Sequence, residues 1–154
     1  MNGTTLKALR LALGFTQEEA SNMIGAVSMR TWRYWEDEGR TIPADVKATM
    51  RELIAFKKTL LDNAVLQIAL MIEAQGAPER VAITYYATLD AWMTQDGALP
   101  MQWKPHCMAM GALAERYGFV SLIAFDALNY QAWLGRKIDN SAMRAQWAAL
   151  QPSN

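Results

Sequence analysis

The first 25 residues show apolar side chains at helical spacing, interrupted by two glycines. Residues 4–13, TTLKALRLAL, place four apolar side chains on one helical face: Leu6, Leu9, Ala12 and Leu13. Gly14 ends this predicted helix. Thr16 can cap a second helix, and Glu19, three residues later, can reach back to form a capping box. This second helix is predicted to stop at Gly25, which suits a left-handed C-cap.

A third helix is predicted after a short turn, because Ser28 is a good N-cap. Trp32 and Trp35 lie three residues apart and therefore share one face, which is predicted to be buried in the core. Gly39 is predicted to close the helix. Four side chains point mostly elsewhere: Met29, Arg30, Arg33 and Tyr34.

Residues 44–75 contain neither glycine nor proline and keep a helical period of apolar positions. Pro43 favours the first position of this helix. One very long helix or two abutting helices would both fit, and Asp62 and Asn63 could cap the second of two. The average helix length favours a break.

The pattern changes after the boundary formed by Gly76, Ala77 and Pro78. The β-branched and aromatic segments 80–86 and 119–126 are predicted strands, and the helix predicted between them covers residues 105–117. DGALP, residues 96–100, is a predicted loop. Two closing helices follow, DALNYQAWLGRK and NSAMRAQWAAL, the second capped by Asn140 or Ser141.

These elements predict a mainly α fold of the α+β class. A strand–helix–strand order favours a parallel or mixed pair with a crossover connection. Because two strands alone are marginally stable, we expect the small two-stranded sheet to be completed in a dimer, which would give four strands.

Composition and charge add little evidence for a partner. The 154 residues suffice for one domain or two small ones with a real core, and 52% of them are hydrophobic. The formal net charge is zero, whereas a strongly basic chain would indicate nucleic acid. Residues 1–60 hold nine Lys/Arg against seven Asp/Glu, and residues 61–154 hold six against eight, which is weak support for an N-terminal DNA contact.

No residue pattern indicates catalysis or a cofactor. The sequence contains no metal-ligand spacing, P-loop or nucleophile elbow, so we expect neither an enzyme nor a bound metal. His106 and Cys107 are adjacent, but nucleophile–base pairs meet in space rather than along the chain. A single cysteine, no signal-peptide pattern and no apolar run long enough to cross a bilayer predict a cytoplasmic protein that does not bind a membrane.

The ordered strings LKALR, LGFTQEEASNMIG and VSMRTWRYWE resemble the Cro/repressor-type helix-turn-helix of the XRE family over about residues 4–60. The full layout, with FDALNYQAWL and RAQWAAL, is similar to the YdiL-like family, which includes dimeric repressors of anti-CRISPR operons. The resemblance implies a five-helix DNA-binding head, residues 1–62, and a helical dimerisation domain, residues 63–154. Two departures are the extra Ala26, which lengthens the turn, and two residues rather than one between Glu36 and Gly39.

The resemblance also implies a DNA-binding surface. The third helix would enter the major groove and read base edges, while the second lies across the backbone. The implied contact residues are Gln17, Ser28, Met29, Arg30, Arg33, Tyr34 and Arg40. Isolated arginines would more simply be solvated or paired with the nearby acidic residues. The family also pairs a first-helix arginine with a glutamate after the recognition helix, here Arg10 and Glu36.

The predicted function is a DNA-binding transcriptional regulator, a repressor, that binds double-stranded DNA at an inverted repeat as a homodimer. The alternative is a small-molecule or protein-sensing module without catalytic activity, whose pocket would be lined by aromatic residues of the second half, although these also suit a core. These residues are Tyr85, Tyr86, Trp92, Trp103, Tyr130 and Trp133. RNA is left open as a partner, although nothing in the sequence selects it.

Overall fold

The computed structural model describes residues 1–37 and 40–152. Eight α-helices and two strands are described, with a π-helical turn over Ser21–Gly25 and a 3₁₀ turn over Pro100–Gln102. The first five α-helices and the first strand are α1 (Gly3–Ala12), α2 (Gln17–Ala20), α3 (Met29–Glu36), α4 (Ala44–Gln75), β1 (Val81–Tyr85) and α5 (Leu89–Trp92). The remaining elements are α6 (Trp103–Arg116), β2 (Val120–Ala124), α7 (Ala127–Leu134) and α8 (Ser141–Leu150). The mainly α fold with a small sheet is confirmed.

The predicted N-caps are present in the structure. Thr16 Oγ1 accepts the amide of Glu19 at 3.1 Å, and the Glu19 carboxylate accepts the Thr16 amide at 2.8 Å, which completes the capping box. Ser28 caps α3, and Asn140 caps α8. Pro43 is the N-cap of α4, one residue earlier than predicted. The predicted stop at Gly39 lies outside the described residues.

The turn between α2 and α3 differs from the prediction. The left-handed residue is Ala26, with φ 47° and ψ 43°, and not Gly25. The chain reaches it through the π-helical turn, and the amides of Ala26 and Val27 both donate to the carbonyl of Ser21. The wider π-helical turn accommodates the additional residue without breaking the helix.

Gly25 is required for close packing instead. A Cβ on Gly25 would lie 3.1 Å from an atom of each indole, Trp32 and Trp35.

Residues 44–75 form one 32-residue helix, so the expected break is wrong. At the predicted second cap, the Asp62 carboxylate instead forms an ion pair with Lys58, one turn earlier in the same helix. The proposed boundary between residues 62 and 63 therefore lies inside α4. The described part of residues 1–62 forms α1, α2 with its π-helical turn, α3 and the first part of α4, so a five-helix head is not confirmed.

The two strands pair in parallel, with Val81 opposite Val120 and Tyr85 opposite Ala124. The connection passes through α5, the 3₁₀ turn and α6, so the predicted crossover is confirmed. α5 and the 3₁₀ turn were not predicted.

Three clusters of buried apolar residues form the interior. The head core joins α1, α2, α3 and the first part of α4, and it includes Leu6, Phe15, Trp32, Trp35 and Met50. An aromatic body core joins β1, α5, α7 and α8, and it includes Tyr86, Trp92, Phe125, Tyr130 and Trp147. A third cluster packs α4 and α6 on the sheet through Ile68, Leu113 and Val120. Most aromatic residues considered for a pocket therefore belong to the body core.

In the described part of the chain, we find no helix that is both long and apolar enough to span a bilayer.

Candidate nucleic-acid interface

Helix α3 has one buried and one exposed face, as its sequence predicts. Trp32 is fully buried and Trp35 is 8% exposed, and their rings pack edge to face with centroids 5.7 Å apart. On the other side, Met29 is 39% exposed, and Arg30 and Arg33 are exposed. The buried indoles therefore hold α3 in the head core while its arginines point to solvent.

The Arg10 guanidinium and the Glu36 carboxylate join α1 to the end of α3. Both residues are 5% exposed, and Arg10 Nε lies 2.5 Å from Glu36 Oε1. Arg10 Nη2 donates to Glu36 Oε2 at 3.2 Å, and Arg10 Nη1 donates to the Phe15 carbonyl at 2.7 Å. The buried guanidinium is thus paired with both a charge and a backbone acceptor, as buried ions require.

Glu36 collects further donors from Gln17 Nε2 at 2.9 Å and Trp32 Nε1 at 2.6 Å. Burial acts to raise the pKa of this carboxyl, but the hydrogen bonds from Arg10, Gln17 and Trp32 outweigh it and keep the pKa below its ordinary value. Glu36 therefore stays ionised at neutral pH. The Trp32 donor was missed, although its spacing of four residues from Glu36 could have indicated it.

Gln17 connects this buried network to the exposed face of α3. Its Nε2 donates to Glu36, while its Oε1 accepts from Arg33 Nε at 3.1 Å. The two contacts determine the orientation of the amide, because the carboxylate needs a donor and the guanidinium needs an acceptor. Arg33 Nη2 also lies 3.8 Å from the Met29 sulfur. Gln17, Met29 and Arg33 thus form one contiguous surface.

A second group on the same face is organised by Tyr34. Arg30 Nε donates to the Tyr34 hydroxyl at 2.8 Å. The Arg40 guanidinium carbon lies 4.6 Å from the centroid of the Tyr34 ring, within cation–π range. The ring holds two positive charges near each other on the surface.

Ser28 lies at the start of α3 and is exposed. Its hydroxyl accepts the amide of Thr31 at 3.2 Å and contacts the Thr31 hydroxyl. The seven predicted contact residues thus lie on α3 or beside it.

The structure gives no evidence of a metal site among residues 1–37 and 40–152, where no three His, Cys, Asp or Glu side chains come together. His106 is 8% exposed, and its ring packs against Tyr86 and Trp92. The Cys107 sulfur lies 3.6 Å from the Tyr86 carbonyl. Both residues therefore contribute to packing.

The fold and this surface define a small, mainly helical protein whose N-terminal helices present exposed arginines on one buried-core helix. Comparison with known proteins then places the chain in the Aca2/YdiL-like family, whose model matches residues 1–119. The chain is also 29% identical over 96 residues to the Aca2 repressor of Pectobacterium phage ZF40, an alignment that covers 62% of this chain and 77% of that relative.

Proposed function

We propose that this protein is a DNA-binding transcriptional repressor that binds an inverted-repeat operator as a homodimer. The observation that carries the proposal is the division of α3: Trp32 and Trp35 are buried, while Arg30 and Arg33 are exposed side by side on the opposite face. The relative that bears the name Aca2 repressor supports the same role.

In the proposed complex, α3 lies in the major groove. Arg30 or Arg33 donates to the O6 and N7 atoms of guanine, and Met29 contacts a thymine methyl group. Arg30 gives up its hydrogen bond to Tyr34, or Arg33 its bond to Gln17, and each exchanges an exposed contact worth little for a base contact.

The remaining side chains position the helix on the backbone. Arg40 lies beside Tyr34 on the same surface and donates to a phosphate. Gln17, at the start of α2, keeps its bond to Glu36 and so orients Arg33, while its other side meets the backbone near the same base. The first turn of α3, capped by Ser28, directs its amides towards phosphate oxygens.

The open edge of β2 supports the homodimer. The Val81 amide donates to Phe119, and the Phe125 amide donates to Tyr85, so alternate residues of β2 face β1. Leu122 and Ala124 consequently direct their amides and carbonyls away from β1, where the described residues provide no further strand. Such an edge is a template for pairing with another chain.

A groove of about 510 Å³ lies along this edge. It is lined by Ser121, Leu122, Ile123, Ala124, Asp126, Asn129, Trp147, Gln151 and Pro152. Leu128 and Leu150 are next in sequence to two of these lining residues and are 82% and 68% exposed. In the proposed dimer, β2 pairs antiparallel with β2 of a second copy about a two-fold axis, which buries these leucines and gives four strands.

The test is selection of bound duplexes from random DNA at a stated salt concentration. We expect an enriched inverted repeat with half-sites about one helical turn apart. Arg33→Ala should relax specificity at one base position of each half-site, at a cost of about 1–3 kcal/mol.

Arg40→Ala should instead weaken binding to all duplexes alike and lower the salt dependence by about one unit per phosphate contact. Lys58→Ala, on the exposed side of α4, is the matched control for loss of one positive charge. Failure to enrich any duplex would contradict the proposal and favour an interaction module.

A further inference from the structure

The 3₁₀ turn and the first turns of α6 contact the DNA-binding head along one side. Met101 packs against the head core. Lys104 Nζ lies 3.0 Å from Glu19 Oε1. A Cβ placed on Gly14 would lie 2.8 Å from Met108 Cγ, so the turn between α1 and α2 touches Met108 directly. Spacings of three and four residues put these three contacts on one helical stripe.

The other side of the same segment is anchored in the body. Trp103 Nε1 donates to the Tyr86 carbonyl at 2.8 Å, and the His106 ring packs on Trp92 with centroids 4.9 Å apart. Further along α6, Leu113 belongs to the cluster on the sheet. One short segment thus contacts the head on one side and the body, with its open strand edge, on the other.

The contact with Glu19 reaches α2 itself. One carboxylate oxygen of Glu19 completes the capping box at the start of α2, and the other faces Lys104. Each side chain is only about a quarter exposed, at 26% and 27%. Gly14 has a φ of 82°, so the turn next to Met108 is restricted to glycine by its backbone as well as by space.

We infer that this segment, which we call the α6 clamp (residues 101–108), sets the orientation of the head relative to the body and thereby the half-site spacing that the dimer accepts. The inference rests on the proposed function. Helix α4 alone joins head and body through a single rod that can bend, and a second contact on α6 removes that freedom.

The spacing is a sensitive measure of this orientation. Adding one base pair between half-sites rotates one of them by about 34° about the DNA axis and shifts it by about 3.4 Å. A dimer with fixed heads must therefore strain or release one half-site, whereas a dimer with loosened heads can follow it. Lys104 acts here as a positioning residue.

The experiment measures affinity for the selected operator and for four versions whose spacer is one or two base pairs shorter or longer. We expect the wild-type protein to prefer the best spacer by about tenfold or more, equivalent to about 1.4 kcal/mol. Lys104→Glu, which repels Glu19, should reduce this preference to about threefold or less. The mass of the dimer and its affinity for an isolated half-site should not change.

Two further variants separate charge from folding. Glu19→Gln added to Lys104→Glu removes the repulsion and keeps a capping box, so the spacer preference should partly return. Lys104→Met, which keeps the aliphatic stem, gives the same test if the charge reversal unfolds the protein. Lys137→Glu on the exposed body surface controls for net charge.

An unchanged spacer profile in folded Lys104→Glu or Lys104→Met would overturn the clamp while leaving the proposed function intact. Absence of any inverted-repeat binding by the wild-type protein would instead overturn the proposed function.

Discussion

At the scale of single residues, two buried arginines anchor the two halves of the molecule. Arg10 pairs with Glu36 in the head. Arg144, 5% exposed, binds Asp139 through Nε and Nη2, and its remaining donors go to the Tyr86 hydroxyl and to Thr94. The Asp139 carboxylate also accepts the Tyr130 hydroxyl, and burial together with this bond raises the pKa of Tyr130 to about 12. Each arginine has its donors satisfied, which is the condition for a buried cation.

We expect Arg10→Met to destabilise the fold by about 3 kcal/mol, because it leaves Glu36 buried without its cation. The melting temperature should fall by roughly 6–12 °C for a chain of this size. Thermal unfolding followed by circular dichroism measures the effect. Lys7→Met, an exposed position on the same helix, is the matched control and should change little. An unchanged melting temperature in Arg10→Met would show that the pair does not stabilise the head.

His106 makes stability depend on pH. Burial lowers its pKa to about 4, and its Nε2 has no hydrogen-bond partner among the described residues. The unfolded chain takes up this proton near pH 6.5, whereas the folded chain does not, so stability is fully present above that pH and is lost as the pH falls towards 4. We expect a loss of about 2–3 kcal/mol between pH 6.5 and pH 4.5.

Urea unfolding at a series of pH values measures this loss. His106→Leu should flatten the profile in the same window, since the carboxyls with lowered pKa values, Glu19, Glu36 and Asp139, act only at lower pH. An equally steep profile in His106→Leu would assign the effect to another group.

At the scale of elements, the turn before α3 separates two properties that a sequence reader would assign to one glycine. Ala26 has the left-handed conformation, and Gly25 has the close packing against the indoles. Ala26→Gly should stabilise the protein by about 0.5–1 kcal/mol, because glycine removes the left-handed strain.

Gly25→Ala should destabilise it, because the new methyl group meets both tryptophan rings at 3.1 Å. Melting temperatures of the two single variants provide the comparison. The opposite order would mean that the left-handed position is not at Ala26.

At the scale of the whole molecule, assembly depends on the β2 edge. Ala124→Pro removes an amide that faces away from β1 and is exposed, so it should leave the β1–β2 pairing intact. We expect sedimentation to give a monomer and operator affinity to fall by about a hundredfold, since each head would bind alone. Ala124→Ser, which keeps the amide, should remain a dimer. A dimeric Ala124→Pro protein would place the interface elsewhere.

The sequence alone determined the features that depend on neighbouring residues. The caps at Thr16, Ser28 and Asn140, the inward indoles of α3 and both strands follow from periodicity and short-range hydrogen bonding, which operate within a few residues. The exposed arginines of the candidate interface could be predicted for the same reason, since burying Trp32 and Trp35 turns Arg30 and Arg33 outward.

The tertiary structure decided what depends on distant partners. Helix α4 continues past Asp62 because its first part is buried in the head core and Ile68 is buried against the sheet, and this packing outweighs the local capping signal. The Gln17 amide is oriented by Glu36, which is nineteen residues away, and Arg144 by groups up to fifty-eight residues away. Local propensity contains no term for such contacts, because they form only once the chain has folded.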